Sequence, residues 1–129
     1  MLRHQKFSVT TNGSGAGSDT QTVTGRIIAV HTDATAANTA GCDVTWTIPA
    51  NADRGTLAET ILTLTDLGDA SAVDYPRRIM DDVTGTAYAG TAEIEPVEPF
   101  VANGQVTMTV AQGGDTKVYT GAVVYDDGR

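Results

Sequence analysis

Apolar and polar residues alternate along much of this chain. In "CDVTWTIPA", Val44, Trp46 and Ile48 alternate with Thr45 and Thr47; in "QVTMTVA", Val106, Met108 and Val110 alternate with Thr107 and Thr109. Period two with β-branched residues is the pattern of a strand that buries one face. Turn-forming stretches rich in Gly, Asn and Asp separate such runs: "TNGSGAGSDT", "NTAGCD", "NADRG", "DLGDAS", "VANGQ" and "QGGDTK". Their regular recurrence predicts an all-β protein, an antiparallel β-sandwich or jelly-roll-like fold of about 7–9 strands.

Local signals extend this to pairings. Asn103-Gly104 tolerates the positive φ angles of a tight type I′ turn, so the flanking "EPFVA" and "QVTMTVA" are predicted to pair as a hairpin. "QGGD" then leads into "KVYTGAVVY", and the last third of the chain is expected to be a three-stranded meander. At the other end, "HQKFSVT" and "TVTGRIIAV" are expected to pair across the glycine-rich loop. In "TLAETILTLTDLG", Leu57, Ile61 and Leu64 carry helical spacing, but Thr60, Thr63 and Thr65 are poor helix formers, and strand is the preferred reading. "TDATAANTAG" has side chains too small for a core strand and is assigned to a loop or one helical turn.

Composition narrows the class. At 129 residues the chain fits one domain, 1–129, with residues 1–6 as a possible N-terminal arm. Its 40% of hydrophobic residues include seven aromatics (Phe7, Trp46, Tyr75, Tyr88, Phe100, Tyr119 and Tyr125), so the core is expected to be thin and completed by oligomerisation. No apolar run reaches the ~20 residues that cross a bilayer, so no membrane partner is expected. "MLRHQKFSV" lacks the apolar stretch of a secretory signal, and assembly in a cytoplasm is the expectation. A net charge of −8 argues against nucleic acid as a partner, because phosphate contacts need a basic footprint. The few cations are uneven: Arg3 and Lys6 stand at the start, Arg77 and Arg78 together in the middle. They are the candidates for contact with an acidic protein neighbour, against the plainer reading of solvated surface charge.

Candidate chemistry is sparse. In "TTNGSGAGSDT", Gly13 and Gly15 match the first two positions of a dinucleotide fingerprint, but Ser18 stands at the third and a strand follows instead of a helix. The loop is therefore taken as a flexible surface connection that becomes ordered against a neighbour. His4 and His31 are the only histidines, and no "GxSxG" nucleophile pattern occurs, so His31 with the nearby Asp33 is assigned to a strand end. Cys42 is the single cysteine, which excludes an internal disulfide; it lacks a basic sequence neighbour and is assigned to the core. Carboxylates cluster as Glu93, Glu95 and Glu98, as Asp81-Asp82 and as Asp126-Asp127; a bound cation at the first two clusters is weighed against simple surface charge. Pro96 and Pro99 are assigned to an edge segment protected from further pairing. No catalytic residue, cofactor or metal ligand is assigned.

Three stretches, in order, carry a resemblance: "FSVTTNGSGAGSDTQTVTGRIIAVHT", "YPRRIMDDVTGTAYAGT" and, most specifically, "EPFVANGQVTMTVAQGGDTKVYTGAVVYDD". Together they resemble small β-rich virion structural proteins of tailed bacteriophages, similar to capsid decoration (cement) proteins. The resemblance implies a non-enzymatic virion component, assembled in the host cytoplasm, that binds the major capsid protein or another virion protein and bridges neighbouring capsomers. A homo-oligomer, with a trimer favoured, fits the thin core. A neck, connector or tail-fibre component, or a carbohydrate- or cation-binding β-sandwich, is the alternative.

Overall fold

Alternating Val/Thr segments can bury one face only by pairing, and nearly all of them do. The structure, a computed structural model, describes residues 1–35, 41–68, 70–81, 83–87 and 97–129. Among the described residues there are nine strands and no helix: β1 (Leu2–Thr10), β2 (Gly17–Asp33), β3 (Asp43–Ile48), β4 (Glu59–Leu64), β5 (Ser71–Asp74), β6 (Arg77–Ile79), β7 (Val97–Pro99), β8 (Val101–Ala111) and β9 (Val118–Asp126). The alternation is realised as predicted: Val44, Trp46 and Ile48 of β3 and Val106, Met108 and Val110 of β8 are buried. "ETILTL" is a strand, with Ile61 in the core.

The main sheet runs β1-β9-β2-β8-β3-β4, with β5 also paired to β2, while β6 and β7 form a separate ribbon. All these pairings are antiparallel. Three strands separate β1 from β3 in that order, yet the rings of Phe7 and Trp46 meet edge to face with centroids 4.9 Å apart. The sheet therefore folds over on itself as a β-sandwich-like, all-β structure with its core inside.

The long β2 makes this possible. Its first part, Gly17 to Arg26, pairs with β8; from Arg26 onward it pairs with β9. The transfer occurs at Arg26; at Gly25, just before it, φ is 140° and a Cβ would stand 2.1 Å from the Asp126 carbonyl oxygen, so a side chain is excluded. A register shift between Ile27 and Ala29 follows directly, and such bulges bend a strand from one layer to the next.

Four local expectations are corrected. Residues 2–6 are no arm: they belong to β1, which pairs with β9 through all nine of its residues. β1 does not pair with β2, because β9 lies between them. Asn103-Gly104 is not a turn: it runs inside β8 opposite Thr24 and Val23, with the Asn103 side chain donating to Thr56 Oγ1 at 2.9 Å. The terminal meander is absent, because β2 intervenes between β8 and β9 and is the strand both pair with. Of "TDATAANTAG", residues 36–40 lie outside the described residues.

Candidate functional site

Strand register decides which outward side chains stand together. Lys6 of β1 is opposite Ala122 of β9, Ala122 is opposite His31 of β2, and His31 is opposite Val73 of β5. The next row on the same face is Ser8, Thr120, Asp33 and Ser71. Small side chains at Ala122 and Thr120 lower the middle of this face, while Asp19 and Gln21 from the first half of β2 wall it off. The result is an open cleft of about 730 Å3.

Its acidic groups are already engaged. Asp19 Oδ2 accepts the Ser8 N–H at 3.0 Å, and both its oxygens accept from Gln21 Nε2, at 2.9 and 3.1 Å. Asp33 Oδ1 accepts the Thr35 hydroxyl at 2.6 Å and the Thr35 N–H at 2.9 Å, which together hold that carboxyl below its usual range. The Lys6 ammonium and the His31 ring, in contrast, have no hydrogen-bond or ion-pair partner among the described residues. Lys6 and His31 stand two strands apart, about 10 Å in the sheet plane.

The other cations expected at a partner surface are occupied within the chain. Arg3 Nε donates to Asp127 Oδ2 at 2.7 Å. Arg77 Nη1 donates to the Pro76 carbonyl at 2.8 Å and reaches the Ile28 carbonyl at 3.4 Å. Arg78 lies among Glu98, Asp81 and Glu59, at 3.3, 3.6 and 3.9 Å. The structure thus does not gather the four into one patch; of the four, Lys6 alone has no partner among the described residues.

The Asp126-Asp127 pair binds the start of the chain. The Met1 amino group lies 2.9 Å from Asp126 Oδ1 and 3.3 Å from Asp127 Oδ1. The Arg3 hydrogen bond, then the Arg129 N–H, hold the Asp127 carboxyl down at about 2, and the Gly128 N–H followed by the amino group lowers that of Asp126.

Beside the ribbon lies a second groove of about 650 Å3, lined by Leu57 and Glu59 ahead of and within β4, Arg78 and Ile79 of β6, and Phe100 and Val101 at the start of β8. Cys42 is fully buried, its thiol against the Gly68 carbonyl. No group of three or more His, Cys, Asp or Glu side chains among the described residues is placed to hold a metal ion. Glu93, Glu95, Pro96 and Asp82 lie outside the described residues. His31 shares the cleft with Ser8, Ser71 and Asp33 but hydrogen-bonds to none of them. Sequence reasoning missed the cleft because its residues come from four strands. The outward positions could be read from period two, the neighbours could not.

Against protein-family models, curated proteins and solved structures, the chain matches none.

Proposed function

We propose that this chain is a structural virion protein of a tailed bacteriophage, a decoration (cement) protein that binds the outer capsid surface and bridges neighbouring capsomers as a homo-oligomer. It acts without catalysis, and its partner is the major capsid protein or another virion protein. The observation that carries the reading to a surface is the Lys6 ammonium at an open cleft, without a partner among the described residues, in a chain whose Arg3 and Arg78 are neutralised internally. A shell protein presenting a carboxylate above Ala122 would meet Lys6 first and the donors of His31, Ser8 and Thr120 around it. Several such modest contacts in one particle add through effective concentration.

The test uses particles depleted of the protein, to which wild type or Lys6→Glu is added back. Wild type is expected to rebind at high copy number over the shell and Lys6→Glu to lose most of its occupancy. Undiminished occupancy by Lys6→Glu removes the cleft from the contact. A copy number of about a dozen, confined to the neck or tail, replaces decoration with a connector or fibre role.

A carbohydrate ligand is the second reading. It is favoured by the cleft's mixture of donors and acceptors in Lys6, Gln21, His31, Asp33 and Ser71, and by a volume within the ~300–1,000 Å3 of small-molecule sites. Binding on a glycan array that is abolished by His31→Ala would select it.

A further inference from the structure

The geometry points to the groove between the start of β4, the β6–β7 ribbon and the start of β8 as the surface through which two copies of this chain pair, patch to same patch. Leu57, Ile79 and Val101 line it and are 84%, 46% and 59% exposed. Val97, the direct cross-strand partner of Ile79, adds a further 45% exposed valine. Phe100 and Ile48 form an apolar floor that is already buried. Monomeric surfaces seldom concentrate large apolar side chains in this way without a partner.

Area and charge both select a second copy as the occupant. The four exposed side chains leave roughly 400 Å2 of apolar surface open, close to the apolar share of the ~800 Å2 that each partner brings to a standard interface. Thr56, Thr60, Asn103 and the charged rim can supply the remainder. That rim carries both signs. Arg78 sits among Glu98, Asp81 and Glu59, and Arg54 Nη1 is held at the edge by the Asn103 carbonyl. A partner of one sign would meet like charge somewhere along it. A two-fold copy sets the cations of one chain against the surplus carboxylates of the other, as a self-complementary interface requires. The three-residue strands of the ribbon, too short to be stable alone, would gain a second supporting surface.

This deepens the homo-oligomer part of the proposed function by naming where copies meet. The test is sedimentation equilibrium on the full chain. Wild type is expected at the mass of two copies at micromolar concentration. Leu57→Asp and Ile79→Asp are expected to raise the dissociation constant roughly 30-fold or more, whereas Val118→Asp, an exposed valine away from the groove, leaves it unchanged. Amide exchange of wild type at rising concentration provides a second measurement that needs no variant, and slowing is expected at residues 57–60, 77–79 and 97–103. A monomeric wild type, a three-copy mass, or exchange that slows elsewhere overturns the pairing. Particle occupancy, measured on the same preparations, separates the two ideas. A monomer that still binds particles removes this surface alone, and a dimer that binds none removes the shell role alone.

Discussion

Trp46 shows how tightly single residues constrain the interior. Its ring packs at nearly a right angle to that of Phe7, its indole N–H donates to Thr32 Oγ1 at 3.0 Å, and it lies directly over Gly121 of β9. A Cβ at Gly121 would stand 2.6 Å from Trp46 Cζ2 and 2.8 Å from the His31 carbonyl oxygen, neither of which can retreat. Gly121→Ala is therefore expected to cost about 1–3 kcal/mol or more, read by urea unfolding with the single tryptophan as probe. An unchanged midpoint would show that the layers separate more easily than this packing implies. Charge at the surface acts more weakly and with a definite sign. Asp127 has its carboxyl lowered to about 2, first by the Arg3 hydrogen bond. A lowered carboxyl contributes stability that is present above the ordinary value near 4 and is lost as the pH falls toward about 2. Wild type should accordingly melt higher than Asp127→Asn at about pH 5, and the gap should shrink as the pH falls through about 2 and close below it. A constant gap across that range would assign the difference to something other than the charge.

At the scale of elements, the glycine-rich loop is ordered by a second loop of the same chain. Asn12 Oδ1 accepts the Ser14 and Ala16 N–H groups, and the Gly113 N–H donates to the Gly15 carbonyl at 2.8 Å. Thr11 is the clasp: its hydroxyl donates to the Gly114 carbonyl at 2.6 Å and accepts the Lys117 N–H at 2.8 Å. Thr11→Val keeps the shape and leaves two part-buried partners without it, so a loss of about 1 kcal/mol is expected, with faster amide exchange at Lys117. Exchange that stays slow would place the clasp elsewhere in the loop. The sequence reading expected a flexible loop that orders only against a neighbouring protein; within the chain it is instead held by "QGGD", about a hundred residues away. The same division holds throughout. Which side of each strand is buried was legible, because Val44, Trp46 and Ile48 carry that information locally. Which strands are neighbours was not, because the change of partner at Arg26, beside Gly25, and the bulge after Ile27 are settled by contacts with Asp126 and β9. The candidate site suffered likewise. Arg3 looked free until its partner, Asp127, arrived from the far end of the chain.

For the molecule as a whole, the decisive question is whether its first residues are an appendage or part of the body. Pairs from Leu2↔Asp126 to Lys6↔Ala122 are more than half of the β1–β9 ladder, and β1 is the end strand of the main sheet. Deleting residues 1–6 removes those rungs and the partners of Asp126 and Asp127, and it uncovers the edge of β9 over Ala122–Asp126. Phe7 would then be left to seal Trp46 from the chain end. We expect the truncated chain to lose at least about 2 kcal/mol and to melt roughly 10 °C lower. It should also associate with rising concentration, since an unpaired edge is a template for further pairing. Light scattering and thermal melts read both effects. This bears on how shell binding is tested: a truncation that lowers particle occupancy would do so by damaging the fold, whereas Lys6→Glu changes one exposed side chain of an intact strand. A truncated chain that melts and sediments like wild type would instead show that the first five rungs hold nothing together. Residues 1–6 would then regain the role of an arm, free to reach a neighbour.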